Sequence, residues 1–264
     1  MAFSRLNGIV VHWSALGPVD RPAIVFSNSL GTDWRIWDRT AELLADRYRI
    51  VTYDKRGHGL TESPPGPYSI AMLADDVLAL ADALSLKSFA MVGVSVGGLI
   101  AQEVALRTPQ RLSALVLSDT AAKIGTTDSW NARIKAVETT GLASIADALM
   151  QRWFSRTFRD TRKAELAGWR NMLVRTPADG YAAVCAALRD ADLTAGVAGI
   201  RLPTLAVAGE EDGSLPPDLS RATANLIAGA RFEIIDGVGH LPCIEQPERM
   251  AGLISEHLKE AGYV

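Results

Sequence analysis

Ser95 lies at the centre of a Gly-x-Ser-x-Gly pattern, the most informative chemical signal in the sequence. An apolar run typical of a buried strand precedes it at residues 88–92, and a helix-like run follows at residues 99–107. A serine on so tight a strand-to-helix turn adopts a strained backbone and exposes its hydroxyl. Gly93 and Gly97 flank it because a Cβ at either position would crowd the turn. The pattern therefore predicts that Ser95 is a nucleophile.

The base that activates this serine must be a histidine within hydrogen-bond reach, because a serine hydroxyl is a weak nucleophile at neutral pH. The sequence has four histidines. His12 falls in a predicted strand, His58 in a Gly-His-Gly loop, and His257 on a terminal helix where we expect it to be solvated. His240 follows the last predicted strand, at the edge where a parallel sheet presents its ligands. We therefore predict His240 as the base.

The acid that orients the histidine is expected between the serine and the histidine in sequence, in the order Ser…Asp…His. Glu210, Glu211 and Asp212 compete for this role directly after the strand predicted at residues 203–208. The Gly-x-x-Asp spacing turns a carboxylate back over the sheet and favours Asp212 over Glu211. The alternative is that all three form a solvated acidic turn. The acid would hold the imidazole tautomer and stabilise the imidazolium without taking the proton.

Two backbone N–H groups are expected to bind the oxyanion of a tetrahedral intermediate. Val96 supplies one at the start of the helix, where the helix dipole also favours negative charge. The loop at residues 27–31 follows the second predicted strand, and Leu30 is its favoured donor. The alternative interpretation is an ordinary strand-to-helix loop.

Strands and helices alternate around these residues. Strands are predicted at residues 8–13, 22–26, 49–53, 88–92, 112–118, 203–208 and 232–235, and helices at 35–46, 70–84, 99–107, 218–227 and 247–259. This alternation predicts an α/β fold with a mostly parallel twisted sheet and helices on both faces. The first two strands, joined by a turn-rich segment, are compatible with an antiparallel hairpin at the start of the sheet.

The segment at residues 121–199 differs from the rest because it contains no convincing strand. Helix-like stretches occur at residues 130–139, 142–154, 162–173 and 178–188. A helical insertion after a sheet strand, above the edge where ligands bind, is a natural lid. We therefore expect a core formed by residues 1–120 and 200–264 and a helical cap formed by residues 121–199.

Composition limits the classes of partner and location. The chain has 264 residues, a hydrophobic content of 48% and a net charge of −3, so neither nucleic acid nor an anionic membrane surface is expected as a partner. Two cysteines and no Cys/His cluster predict neither a disulfide framework nor a metal site. The sequence shows no signal peptide or membrane span, so we expect a cytoplasmic protein. It carries no signal for an oligomeric state.

These motifs resemble those of α/β-hydrolase fold enzymes, and the resemblance extends over essentially the whole chain. It rests on Gly-Val-Ser-Val-Gly at 93–97, Asp-Lys-Arg-Gly-His-Gly at 54–59, the Gly-x-x-Asp that ends at Asp212, and Gly-His at 239–240. Two positions depart from the family pattern. Asn28-Ser29 replaces the usual His-Gly pair, and Thr61 stands where many relatives carry Ser.

Within that superfamily, further stretches are similar to the 3-oxoadipate enol-lactone hydrolases of the β-ketoadipate pathway. They are residues 26–33, 123–126, 130–133, 152–154, 180–181 and 187–192. The resemblance implies a carboxylic ester hydrolase for an anionic five-membered unsaturated lactone that carries an acetate group. It implies an acyl-enzyme on Ser95, water as the second substrate, and no metal or organic cofactor.

The same resemblance implies which residues bind the substrate. Arg133 is the candidate for its carboxylate, with a surface helix arginine as the alternative. Trp130 and Trp153 would wall an apolar pocket around the ring, although tryptophans at helical spacing also serve as lid core.

Two rival functions remain open at this point. One keeps the same catalysis on another substrate: a general carboxylesterase, or a carbon–carbon bond hydrolase acting on ring-cleavage products. The other is a non-catalytic ligand-binding protein on the same fold. A serine at position 95 disfavours dehalogenase chemistry, which needs a carboxylate there.

Overall fold

The computed structural model describes residues 1–264 and contains one eight-stranded sheet. The strands are Ala2–Leu6 (β1), Ile9–Leu16 (β2), Ala23–Ser27 (β3), Arg49–Tyr53 (β4), Phe89–Val94 (β5), Leu112–Ser118 (β6), Thr204–Gly209 (β7) and Arg231–Ile235 (β8). Their order in the sheet is β1-β2-β4-β3-β5-β6-β7-β8. Only the β1–β2 and β2–β4 pairs are antiparallel. The predicted mostly parallel sheet is confirmed.

The strands predicted at residues 8–13 and 22–26 do not pair with each other as a hairpin. β2 pairs with β1 and β4, whereas β3 lies between β4 and β5 and is parallel to both. β1 was not predicted from the sequence. Its side chains alternate between exposed and half-buried, as expected of an edge strand, and so give no continuous apolar run.

The helices comprise twelve α-helices and two short 3-10 turns. The α-helices are Asp38–Leu44 (α1), Ile70–Ala83 (α2), Val96–Arg107 (α3), Thr127–Thr140 (α4), Ala143–Trp153 (α5), Arg156–Thr161 (α6), Lys163–Val174 (α7), Ala178–Asp190 (α8), Thr194–Val197 (α9), Pro217–Leu226 (α10), Pro242–Glu245 (α11) and Pro247–Glu260 (α12). Around the sheet, α1, α11 and α12 contact one another, and α3 contacts α2 and α9. Every residue of β3, β5 and β7 is buried, which requires cover on both faces of the sheet.

The segment between β6 and β7 contains only helices, α4 to α9. Within it α4 packs against α8, and α5 packs against α7. Its buried side chains, among them Leu149, Phe154 and Tyr181, belong to the same hydrophobic cluster as the sheet residues. The inserted helices and the sheet therefore share one continuous core.

The carboxyl ends of the parallel strands collect the residues singled out in the sequence. Ser95 follows β5, and the loops after β3, β7 and β8 carry Leu30, Asp212 and His240. Because these strands run in the same direction, the loops meet at one edge of the sheet. None of the helices has the length and apolar character needed to cross a membrane.

Candidate active site

Ser95 is the single residue between β5 and α3, and its backbone is strained. Its φ of 59° and ψ of −121° lie in a region that non-glycine residues rarely adopt. A Cβ at Gly93 would lie 2.2 Å from the Gly97 carbonyl oxygen, and one at Gly97 would lie 2.1 Å from the Ser27 carbonyl oxygen. The turn therefore requires glycine on both sides of the serine, as the sequence pattern predicts.

His240 and Asp212 form a buried pair beside this turn. The distance from His240 Nδ1 to Asp212 Oδ2 is 2.7 Å. The other carboxylate oxygen, Oδ1, accepts the backbone N–H groups of Ser214 at 2.7 Å and Leu215 at 2.9 Å. Glu211, the competing acid, instead accepts a backbone N–H from the inserted helices at 2.8 Å. The carboxylate of Asp212 thus fixes the ring so that Nε2 is the nitrogen left to act as a base.

Ser95 and His240 line the same cavity, which has a volume of about 130 Å³. Ser95 Oγ makes no hydrogen bond to His240; the partner of His240 Nε2 is Ser29 Oγ at 3.4 Å. Hydrogen bonds between catalytic groups are often long before a substrate is bound. The structure therefore brings the predicted nucleophile and the predicted base to one cavity without a direct hydrogen bond between them.

The two predicted oxyanion donors lie on either side of the serine. Val96 provides the first N–H of α3, which has no partner within its own helix. Leu30 lines the cavity, and its backbone N–H donates to no acceptor in the protein. The next amide along, Gly31 N–H, is occupied by His58 Nε2 at 2.9 Å. Leu30 is thus the free donor in this loop.

The three predicted substrate-binding residues also line the cavity, from the side of the inserted helices. Arg133 Nη1 donates to the Tyr181 hydroxyl at 3.1 Å, and its guanidinium lies 5.6 Å from the centre of the Trp130 ring. Trp130 Nε1 donates to a backbone carbonyl at 2.6 Å. Trp153 is 3% exposed. The predicted residues therefore bring one guanidinium and two indole rings to the cavity of Ser95, and Arg152 lines it as a second arginine.

The end of α5 is hydrogen-bonded to the loops that carry the predicted acid and the predicted base. His240 N–H donates to the Trp153 carbonyl at 2.8 Å, and Gly213 N–H donates to the Arg152 carbonyl at 3.1 Å. The inserted helices consequently help to position the Asp212–His240 pair as well as covering the cavity.

Asp119 is a functional candidate that the sequence analysis missed. One carboxylate oxygen each from Asp119 and Asp212 and a ring nitrogen of His240 lie within 4.8 Å of one another. Asp119 is fully buried and accepts hydrogen bonds from Gly209 N–H at 2.8 Å and Ser118 Oγ at 2.6 Å. Burial, and next the charge of Asp212, raise the pKa of Asp119 well above its usual value.

The signal for Asp119 was present in the sequence, because it directly follows β6 just as the chosen acid follows β7. Two carboxylates and an imidazole are also donors that metal sites use. Here their polar atoms are engaged in hydrogen bonds with one another and with backbone and hydroxyl groups. The arrangement therefore fits an acid–base network that orients a histidine.

Two of the other three histidines have hydrogen-bond partners elsewhere in the structure. His12 Nδ1 lies 2.7 Å from Asp54 Oδ2, and His58 accepts the N–H of Gly31 described above. His257 is buried, not solvated as expected, because it lies on the inner face of α12. Burial lowers the pKa of His257.

Comparison with known proteins gives a family and named relatives. The model of the Alpha/beta hydrolase family matches residues 24–253. The protein 3-oxoadipate enol-lactonase 1 of Acinetobacter baylyi is 40% identical over 244 residues, which are 92% of this chain and 91% of the relative. The 3-oxoadipate enol-lactonase 2 of the same organism is 34% identical over 240 residues, 91% of this chain and 90% of the relative.

A solved structure gives the same picture. The enol-lactonase from Burkholderia xenovorans LB400 superimposes with a TM-score of 0.95 at 35% identity, covering 98% of this chain and 100% of that one. The likeness therefore includes the inserted helices as well as the sheet.

Proposed function

The chain belongs to the alpha/beta hydrolase family, and on that basis we propose that it hydrolyses 3-oxoadipate enol-lactone to 3-oxoadipate. The named relatives support this substrate, since two are 3-oxoadipate enol-lactonases at 34% and 40% identity over most of both chains. The observation that carries the proposal is the single cavity shared by Ser95, His240 and Arg133. It offers a nucleophile, a base and a cation to a small lactone that bears a carboxylate.

The first half of the reaction is attack of Ser95 Oγ on the lactone carbonyl. His240 Nε2 takes the hydroxyl proton, and Asp212 stabilises the resulting imidazolium. The carbonyl oxygen becomes an oxyanion that the N–H groups of Leu30 and Val96 bind. The turn and the imidazole held by Asp212 are positioned before the reaction, and the hydrogen bond between Ser95 Oγ and His240 Nε2 must still form.

Collapse of the tetrahedral intermediate breaks the bond between the carbonyl carbon and the ring oxygen. His240 returns its proton to that oxygen, so the leaving group is an enol. The enol then tautomerises to a ketone. Ketone formation makes ring opening hard to reverse. Water, deprotonated by His240, then attacks the acyl carbon. The bond between that carbon and Ser95 Oγ breaks, His240 returns the proton to Oγ, and the dicarboxylate product is released.

The test is a steady-state assay with freshly generated 3-oxoadipate enol-lactone, followed by the loss of its ultraviolet absorbance. Nitrophenyl acetate serves as the control ester. We expect the lactone to be the better substrate by kcat/KM. In Ser95→Ala both activities should fall by at least about 10⁴-fold, with the thermal unfolding midpoint near that of the parent.

Two outcomes contradict this proposal at different levels. A strong preference for simple esters over the lactone indicates a general carboxylesterase. Retained turnover in a folded Ser95→Ala protein removes Ser95 as the nucleophile.

We place the substrate carboxylate at Arg133, the cavity-lining arginine beside Trp130. One guanidinium nitrogen already donates to Tyr181, and the remaining N–H groups are available to a carboxylate. Arg133→Met should raise KM for the lactone by roughly 10- to 100-fold, the effect of losing a charge-assisted hydrogen bond. Its kcat/KM for neutral nitrophenyl acetate should change by less than about threefold, because that ester has no carboxylate to bind.

Arg152 is the matched control for this prediction. It lines the same cavity, but its Nε donates to the Gly213 carbonyl at 2.9 Å, in the loop of the acid. Arg152→Met should leave the ratio of lactone to ester KM unchanged. If the ratio of lactone KM to ester KM rises in Arg152→Met and stays constant in Arg133→Met, the substrate carboxylate binds Arg152 and not Arg133.

The division into a core and a helical cap at residues 121–199 belongs to the same proposal. The cavity lies between sheet-edge loops and the inserted helices, which supports a cap that excludes water from the acyl-enzyme. Both cysteines are unpaired, which fits the reducing cytoplasm that we propose as the location.

A further inference from the structure

Lys55 is a buried lysine beneath the loop that carries Leu30. Only 1% of its surface is exposed. Its Nζ donates to the backbone carbonyls of Ser29 at 2.6 Å and Thr32 at 3.2 Å. Lysine is rarely buried to this degree because desolvation of the ammonium is costly. A buried cation that binds backbone carbonyls needs a reason beyond stability.

The reason lies in the peptide that Lys55 contacts. The Ser29 carbonyl and the Leu30 N–H belong to the same planar, conjugated amide. A hydrogen bond to the oxygen of an amide draws electron density from its nitrogen and makes the N–H a stronger donor. Besides Lys55, the Ser29 oxygen accepts Thr32 Oγ1 at 2.9 Å and Thr32 N–H at 3.3 Å. The oxygen of this amide therefore accepts three hydrogen bonds, one of them from a cation.

We propose that Lys55 is a positioning residue that strengthens the Leu30 N–H as an oxyanion donor through the Ser29 carbonyl. The inference deepens the proposed function, because it rests on ester hydrolysis at Ser95. Lys55 does not touch the substrate. Its ammonium places positive charge behind the donor, in a buried setting where charge acts strongly.

His58 makes the same loop specific for one donor. Its Nε2 accepts the Gly31 N–H, so that amide is not free to bind an oxyanion. Burial, together with the nearby charge of Lys55, lowers the pKa of His58 well below its usual value and keeps the acceptor nitrogen unprotonated. Lys55 activates the Leu30 amide while His58 occupies the next one.

The charged groups around Lys55 predict how kcat depends on pH. Asp33 and Asp54 attract the ammonium, but burial dominates and lowers the pKa of Lys55 to about 7. The neutral imidazole of His58 adds no charge of its own. As the pH rises through about 7 the ammonium loses its proton, the amide is less polarised, and kcat should fall.

The experiment compares Lys55→Met with Lys87→Met, an exposed lysine just before β5 at the opposite edge of the sheet. Nitrophenyl acetate and lactone hydrolysis are measured from about pH 5.5 to 9, together with the affinity for phenylboronic acid, which forms a tetrahedral adduct on a serine. In Lys55→Met we expect kcat to fall between about ten- and a hundredfold, with KM within about threefold. Boronate affinity should fall by a similar factor, and the loss of kcat above pH 7 should disappear. Lys87→Met should match the parent.

The proposal is overturned if the Lys55→Met protein folds and keeps the parental kcat or the parental boronate affinity. It is also overturned if kcat still falls above pH 7 as it does in the parent. Thr32→Val provides a test that keeps the lysine, because it removes one donor to the same Ser29 carbonyl. If Lys55→Met does not fold, Thr32→Val decides. Parental kcat and boronate affinity in Thr32→Val overturn the proposal, and a parallel loss of kcat and of boronate affinity supports it. If the lactone is not a substrate but ester hydrolysis and boronate binding respond as expected, the proposed substrate fails and the role of Lys55 stands.

Discussion

Two carboxylates, Asp119 and Asp212, approach the same histidine from neighbouring strands, and their surroundings differ. Asp212 lies 2.7 Å from His240 Nδ1 and accepts two backbone N–H groups. Asp119 is fully buried, and its pKa is raised by burial and by the charge of Asp212. Adjacent buried carboxylates do not both ionise readily. We therefore expect the proton on Asp119 and the negative charge on Asp212.

This distribution of charge predicts different effects for two isosteric substitutions. Asp119→Asn should keep kcat within about threefold of the parent, because an amide resembles a protonated carboxyl and still accepts the Gly209 N–H. Asp212→Asn should lower kcat by about 10⁴-fold, because it no longer favours the required imidazole tautomer. Both are measured with nitrophenyl acetate and with thermal unfolding as a check on folding.

Equal losses of kcat in the two variants contradict this assignment. They would identify Asp119 as an ionised partner of the histidine.

Sequence reasoning was strongest for residues whose role follows from position. Ser95, Asp212 and His240 each follow a predicted strand, and the structure places all three at one edge of the sheet. Lys55 could not be found in this way. A lysine is expected at the surface, and its burial depends on two carbonyls in a loop distant in sequence.

At the scale of elements, the turn between β5 and α3 determines the position of Ser95, the proposed nucleophile. Gly97→Ala would place a Cβ 2.1 Å from the Ser27 carbonyl oxygen at the end of β3. Because backbone cannot yield as a flexible side chain does, we expect a loss of about 1–3 kcal/mol in the free energy of unfolding. The clash should also displace Ser95, which precedes this residue by two positions, and lower kcat at least about a hundredfold. Denaturant unfolding and the ester assay measure the two effects.

Gly252→Ala is the control for this substitution. Gly252 lies within α12, and a Cβ there would meet no atom within 4 Å. Alanine is the better helix former, so stability should rise by up to about 1 kcal/mol with kcat unchanged. A Gly97→Ala protein that is as stable and active as Gly252→Ala would show that the turn tolerates a side chain.

The elements were predicted well where apolar runs are continuous and less well at glycines and edges. α3 begins at Val96, three residues before the predicted start. The prediction began too late because Gly97 and Gly98 are poor helix formers, and close packing requires glycine at both positions. β1 was missed because only half of its side chains are covered. Its pairing with β2 depends on register across the sheet, which no local pattern encodes.

At the scale of the whole molecule, Glu245 links the inserted helices to the loop of the base. Its carboxylate accepts Ser155 Oγ at 2.5 Å and Gly239 N–H at 2.8 Å. The Ser155 N–H also donates to this carboxylate, at 3.1 Å. Glu245→Ala removes the acceptor of all three donors, and should lower the free energy of unfolding by about 2–3 kcal/mol. Because Gly239 precedes His240, kcat should also fall between about ten- and a hundredfold. Thermal unfolding and the ester assay check both effects.

Glu248 gives the comparison for this prediction. Its side chain is exposed and pairs with Arg39 at 3.4 Å. Glu248→Ala should change stability by no more than about 0.5 kcal/mol and leave kcat at the parental value. Equal behaviour of the two variants would mean that the Glu245 link does not position the base.

The helical character of the inserted segment could be predicted from its sequence, but its attachment could not. Ser155 and Glu245 are 90 residues apart in sequence, and neither lies in a motif. Their contact follows from how α5 ends above the loop after β8, which only the assembled fold determines.

The bonding of the last turn of α5 to the catalytic loops has a practical meaning for protein engineering. Substrate preference in such a fold invites the construction of chimeras, in which one set of helices is exchanged for another. Here the carbonyls of Arg152 and Trp153 are fixed points for the loops of the acid and the base. A chimera must therefore keep residues 152–155 of this chain. The junctions between the two parent sequences should lie in α4 or after α6, so that α5 and its contacts to the two loops stay intact. Transplanting the whole insertion would exchange part of the catalytic machinery along with the binding surface.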